Sequence, residues 1–181
     1  MTTNPWDQRL GVWYIAEDHP DAVAILEASG GLHLTYGELV ASAHRLANGL
    51  LSAGIGPGHV VAMAFANGVP LLRWQLACEE IGVRYIMLNP ALAPAEVRAI
   101  AEHADVSAVV VDSAHASRVT ELDTVGTLLR VAVGGEIDGF RSEEDLVAGC
   151  SDAPPPDTAC SMPAAGFATR STLRRAGSLS I

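Results

Sequence analysis

The 181 residues include 49% hydrophobic side chains, enough for the core of one ordinary domain, so a chain disordered throughout is excluded. Acidic residues outnumber basic ones 21 to 11, and the resulting formal net charge of -10 repels phosphate backbones and anionic lipid surfaces, which argues against nucleic acid as a partner. All 11 basic residues are arginines, so this chain cannot supply a lysine amine to any reaction.

Taken in order, residues 1–7 carry neither an early positive charge nor an apolar segment, unlike a secretory signal. No apolar stretch approaches the roughly 20 residues that span a bilayer. Cys78, Cys150 and Cys160 are odd in number and lack the close pairing of a zinc or redox site, so they read as reduced thiols of a cytoplasmic chain. Leu10, Trp13 and Tyr14 recur near helical spacing and predict a short docking helix over 6–16, ending before Pro20. Residues 21–27 and 31–35 flank the Gly-containing turn 28–31 and predict a hairpin. Thr35 and Glu38 stand at capping-box spacing. Leu39, Ala43, Leu46 and Leu50 then mark one face of a helix that Gly54 ends.

The uninterrupted apolar run 60–66 predicts a strand covered on both faces, which implies a parallel sheet. Pro70 opens a second helix bearing Leu71, Trp74 and Ile81, and Gly82 leads into a strand over 84–88. Pro94 opens a third helix with Val97, Ile100, Ala101 and Ala104 on one face. A strand follows over 107–112, then a helix over 113–122 capped by Ser113, a strand over 128–133, and a short helix over 142–148 with acids in its first turn. The strands at 60–66, 84–88 and 108–111 are expected side by side and buried on both faces, under the helices that begin near Tyr36 and Leu71. The fold class is therefore α/β, a mostly parallel sheet flanked by helices. The pattern closes near Cys150. Residues 152–157 read as a stiff proline linker, no acid follows Asp157, and 162–181 carries Arg170, Arg174 and Arg175 without any period, as a disordered, dispensable tail would. This divides the chain into an α/β unit over 1–150 and a linker with tail over 151–181.

Chemistry-bearing motifs are sparse. Gly54, Gly56 and Gly58 close a helix and precede a strand, whereas a dinucleotide fingerprint follows a strand and opens a helix, so they read as a helix stop and turn. The histidines at 19, 33, 44, 59, 103 and 115 form no i, i+4 pair and no HExxH pattern, and packing accounts for them. Ser42 and Ser52 lie on a helix face with no nucleophile elbow. Trp74 and Tyr36 read as core aromatics rather than a ligand clamp. No catalytic, cofactor-binding or metal residue is assigned.

The segments Leu34-Thr-Tyr-Gly-Glu-Leu39, Arg45-Leu-Ala47 with Leu50, Gly54-Ile-Gly-Pro-Gly-His-Val60, Asn67, Ala77, Gly82 and Asn89-Pro-Ala-Leu92 with Glu96 together resemble the opening region of the AMP-forming acyl-CoA synthetases and related adenylating enzymes. The resemblance covers about 19–112 and runs more loosely to 150, with His59 where the family commonly has Asp. It implies a structural subdomain of a large N-terminal domain, a parallel sheet packed by helices. For the intact family it also implies ATP, magnesium and coenzyme A as cofactors, a fatty acid or other carboxylate as substrate, and an acyl-adenylate as intermediate. The family's Ser/Thr/Gly-rich phosphate loop ending in Lys-Gly should arrive just past the proline linker, where this chain reads Cys160-Ser-Met-Pro-Ala-Ala-Gly-Phe167. The magnesium-binding Glu segment, ribose-binding Asp, hinge and catalytic Lys of the family do not appear either. The expectation is a truncated fatty-acid–CoA ligase homologue, its frame interrupted near residue 160, inactive by itself, binding ATP weakly, and exposing an apolar face that self-associates or takes up a complementing chain. The alternatives are a non-catalytic interaction module that pairs with a separately made remainder, and a small stand-alone α/β nucleotide-binding protein.

Overall fold

The computed structural model describes residues 11–26, 33–89, 91–119 and 129–156. Helix α1 (Val12–Asp18) leads to an antiparallel hairpin of β1 (Val23–Leu26) and β2 (His33–Thr35). Then come α2 (Tyr36–Ser52), β3 (Val60–Ala64), α3 (Val69–Glu80), β4 (Arg84–Met87), α4 (Pro94–His103), β5 (Ala108–Asp112), a 3-10 turn (Ser113–Arg118), β6 (Leu129–Val133), β7 (Arg141–Ser142) and α5 (Glu143–Val147). Strands β3 to β7 form one sheet in the order β4-β3-β5-β6-β7, every pair parallel. This is the α/β fold that the apolar runs imply.

Local chemistry fixes the element ends. Thr35 Oγ1 accepts from the Glu38 amide at 3.2 Å while the Glu38 carboxylate accepts from the Thr35 amide at 2.9 Å, so the capping box is closed. At the other end of α2, Gly54 takes φ +82, and the amides of Gly54 and Ile55 donate to the carbonyls of Leu51 and Leu50. That is a Schellman stop, with Ile55 packed into the same core as Leu50. Helix α3 ends alike at Gly82, and α4 ends in the same pattern on Asp105, the single described non-glycine residue with positive φ.

The sheet splits its side chains by the two-residue period of a strand. Val61, Met63 and Phe65 face α2, α3 and α5 in a core with Leu46, Leu50, Trp74 and Leu146, while Val60, Ala62 and Ala64 face Val97 and Ala101 of α4. The same alternation repeats in β5 next door, with Ala108 and Val110 on the first face and Val109 and Val111 on the second. The far side of α2 carries Leu39 and Ala43, covered by Val12 and Trp13 of α1 and by Ala24 and Ile25 of β1. The docking helix and hairpin thus form an outer layer on α2.

The structure departs from the sequence reading at four points. Strand β4 is adjacent to β3 as expected but is the sheet's edge, and Arg84 and Met87 are exposed, Met87 by 40%. Its apolar run does not make it a buried strand, because the crossover through α4 carries the chain to the other side of β3. The segment after β5 is a 3-10 turn, and its cap is Asp112, whose carboxylate accepts from the Ala114 amide at 2.9 Å, rather than Ser113. Two-residue β7, which joins the sheet beside β6, was not anticipated. The packed region also continues beyond Cys150, because Asn48 Nδ2 on α2 donates to the carbonyls of Ser151 and Ala153, both at 3.0 Å, and Arg45 pairs with Asp152 at 2.9 Å. The predicted start of the docking helix, the hairpin turn, the end of the 113–122 helix and the tail over 162–181 lie outside the described residues.

Candidate functional site

Two polar clusters and one groove stand out. The groove, about 430 Å³, lies where α1, α2, the end of α3 and the segment 151–156 meet, with Trp13, Glu17, His44, Glu80, Asp152 and Pro154 on its walls. His44, 7% exposed, comes from the outer face of α2, and its Nδ1 lies 2.7 Å from Glu80 Oε1 on α3. Trp13 stacks on its ring at a centroid distance of 5.4 Å with the planes 18° apart. One helix from each layer therefore contributes to this contact, and the second oxygen of Glu80, Oε2, is buried with no donor.

The other cluster is structural. Glu143, 8% exposed at the start of α5, accepts from Arg73 Nη2 and from the Trp74 indole Nε1, each at 2.7 Å. A buried carboxylate is tolerated when charge and hydrogen bonds meet it, and here both come from adjacent residues of α3. Trp74 is thus a fully buried core aromatic, as its helical spacing suggests, with its polar atom satisfied.

The remaining singled-out residues do not converge. The turn carrying Gly54, Gly56 and Gly58 sits at the amino end of β3, whereas ligands of open parallel sheets bind beyond the carboxyl ends. His59 Nδ1 lies 3.0 Å from the Gly56 carbonyl inside that turn, so this side chain bonds the turn's own backbone. Ser42 Oγ donates to the Leu39 carbonyl at 2.7 Å along its own helix. Burial and the neighbouring Glu79 push the Cys78 thiol up to about 12, which keeps it protonated and unreactive. Burial and a hydrogen bond to Glu79, at 2.9 Å, push the Tyr85 hydroxyl up to about 12 as well. Among the described residues, no group of three His, Cys, Asp or Glu side chains is placed to hold a metal ion, and no helix is long and apolar enough to cross a membrane. Sequence reasoning missed the His44–Glu80 and Arg73–Glu143 contacts, since each joins residues far apart in the chain with no local motif.

A family model described as AMP-binding enzyme matches residues 12–165, so the chain belongs to that family and corresponds to the N-terminal portion of the adenylate-forming acyl-CoA synthetases. Among curated proteins, a feruloyl-CoA synthase from Amycolatopsis sp is 36% identical over 149 residues, covering 81% of this chain and 30% of its own length. A salicylyl-CoA synthase / salicylate adenylyltransferase from Streptomyces sp is 32% identical over 157 residues, 83% of this chain and 28% of its own. Of solved structures, the amide bond synthetase McbA from Marinactinospora thermotolerans is 30% identical with a TM-score of 0.65, covering 81% of this chain and 28% of that one. A benzoate CoA ligase from Burkholderia xenovorans LB400 superposes with a TM-score of 0.69 at 24% identity, over 82% and 30% of the two chains, a likeness of fold. The chain spans under a third of the length of these relatives.

Proposed function

We propose that this chain is the opening scaffold of an AMP-forming acid–thiol ligase and that, taken alone, it does not turn over. In the whole enzyme a carboxylate attacks the α-phosphate of ATP, releasing pyrophosphate and leaving an acyl-adenylate. The thiol of coenzyme A then displaces AMP to give the thioester. The observation that carries the reading is the family match across 12–165 together with the complete absence of lysine. Charge stabilisation by lysine, metal and loop amides dominates such chemistry. This portion therefore contributes the sheet that the reacting parts are built upon. The names of the feruloyl- and salicylyl-CoA relatives support an aromatic acid as the acyl group, ahead of the fatty acid expected from resemblance alone. The compartment we assign is the cytoplasm. A second reading, a non-catalytic module that complements a separate remainder, draws on exposed Leu26, Val23 and Met87, which offer apolar surface to a partner.

Acid-dependent exchange of pyrophosphate into ATP tests both. The purified chain should give none with ferulate, salicylate or palmitate. Mixed with the separately produced remainder of a feruloyl-CoA synthase relative, it should restore exchange with the aromatic acids first. Exchange by the chain alone, abolished by a substitution within 12–150, would overturn the scaffold reading.

A further inference from the structure

The sequence holds four asparagines, at 4, 48, 67 and 89. Asn4 and Asn89 precede proline, whose nitrogen carries no hydrogen, whereas Asn48 and Asn67 each precede glycine. With no Cβ on the second residue, the nitrogen of an Asn-Gly pair reaches the asparagine side-chain carbon unhindered. The fold treats the two pairs in opposite ways. Asn48-Gly49 lies inside α2, where the Gly49 amide belongs to the helical ladder. Asn48 Nδ2 is held by the carbonyls of Ser151 and Ala153, and a Cβ on Gly49 would stand 3.0 Å from the Leu146 carbonyl oxygen. Asn67-Gly68 is exposed between β3 and α3, with Gly68 extended at φ 164 and ψ -177. Gly68 stands just ahead of the first turn of α3, so its amide is outside the ladder. Neither that amide nor the Asn67 side chain has a hydrogen-bond partner among the described residues. The space beside Gly68 is open, with Pro70 Cδ, at 3.6 Å, the nearest atom that a Cβ would meet.

We propose that Asn67 is a self-modification site, converted through the Gly68 amide to aspartate and isoaspartate while Asn48 is spared. The Gly68 nitrogen, giving its proton to solvent base, bonds to Cγ of Asn67, and the Cγ–Nδ2 bond breaks to release ammonia. A five-membered succinimide results. Water then adds to one of the two ring carbonyls. Cleavage between Cγ and the Gly68 nitrogen restores the ordinary backbone with an aspartate, whereas cleavage between the Asn67 carbonyl carbon and that nitrogen leaves the chain running through the side chain as isoaspartate. One water is consumed and one ammonia released, with no oxidation or reduction. At Asn67 the ring closes without breaking any described hydrogen bond. At Asn48 it would break the ladder of α2 and both bonds to the segment 151–153. The added carboxylate makes the formal charge of -10 one unit more negative. It stands past the carboxyl end of β3, the central strand, on the side where ligands of open parallel sheets bind.

The test incubates the full-length chain in warm, mildly alkaline buffer, native and in concentrated urea, and maps the exchange of an amide for an acid by mass spectrometry of its peptides. In the native chain Asn67 should convert steadily into two products of equal mass that separate by chromatography, with Asn48 unchanged. In urea both should convert at similar rates. The exposed Asp138-Gly139 pair can isomerise through the same ring, but it loses no ammonia, so the mass change reads asparagine alone. Gly68→Ala, which the open space admits, should slow conversion of Asn67 severalfold. An Asn67 that converts in urea and stays intact in the native chain would overturn the proposal, as would an Asn48 that keeps pace with it under native conditions. A single aspartate product formed at the same rate in the Gly68→Ala variant would mean direct hydrolysis by water and would overturn the part given to the Gly68 nitrogen.

Discussion

Replacing Glu143 with Ala removes the acceptor of two buried donors at once, the Arg73 guanidinium and the Trp74 indole, both at 2.7 Å. Breaking a buried ion pair from one side costs about 3–5 kcal/mol, because the abandoned charge stays desolvated. The Arg73 side chain is 24% exposed and can recover some hydration, which places the cost near the lower end, about 3 kcal/mol. For a chain of this size each kcal/mol shifts Tm by about 2–4 °C, so Glu143→Ala should melt about 6–12 °C lower. Glu143→Gln keeps an oxygen for Trp74 while losing the charge, and should cost about half as much. Arg73→Leu combined with Glu143→Leu removes donor and acceptor together and should recover much of the loss, a coupling that a double-mutant cycle reads directly. Urea unfolding followed by circular dichroism, beside calorimetry, measures all four chains. A shift below about 1 °C for Glu143→Ala, or a double variant no more stable than either single one, would refute the account of this cluster as the clamp between α3 and α5.

Stability should fall at alkaline pH. Tyr85 and Cys78 both have folded values near 12 against ordinary values of 10.0 and 9.0, so the folded state holds protons that the unfolded chain releases; their contribution is intact below about pH 9 and is lost as pH rises through 12. A series of urea midpoints from pH 8 to 12 checks it, and Cys78→Ala should flatten the early part of the decline. In a variant with Cys150→Ser and Cys160→Ser, Cys78 should resist a maleimide at pH 8 until the chain is unfolded, as mass spectrometry would report. Asp105→Gly should raise stability by about 1 kcal/mol, since Asp105 holds φ +52 at the end of α4 where glycine carries no steric penalty. Gly54→Ala, at φ +82, should lower it by a similar amount, both read from denaturant midpoints.

What was legible in the sequence follows from which information is local. The capping box at Thr35, the Gly54 stop, the burial of β3 on both faces, through Val61 and Met63 on one and Val60 and Ala62 on the other, and the acid-rich start of α5 depend on a few neighbouring residues, and the chain displays them openly. The edge position of β4 depends on where α4 delivers β5, and the run Arg84-Tyr-Ile-Met87 carries no mark of that. The prolines after Asp152 read as a linker because proline punctuation is local, whereas the amide of Asn48 that captures Ser151 and Ala153 comes from a helix a hundred residues earlier. The candidate groove was invisible for the same reason, since Trp13, His44, Glu80 and Asp152 share no motif and meet through three helices and a strap. Its lining is a product of tertiary packing.

The central position of β3 bears on how the chain is born. Both strands that flank it, β4 and β5, lie later in the sequence, so a polypeptide emerging from the ribosome presents residues 60–64 well before either neighbour exists. Until residue 87 has emerged, Val60 to Ala64 has no partner on either side, and until residue 111 has emerged one row of its amides and carbonyls still faces outward. Closing those parallel pairings requires long crossovers and is intrinsically slow. A strand buried on both faces in the finished protein is therefore a long-waiting one, and the interval is the window in which a nascent chain is open to chaperones or to sister chains on the same message.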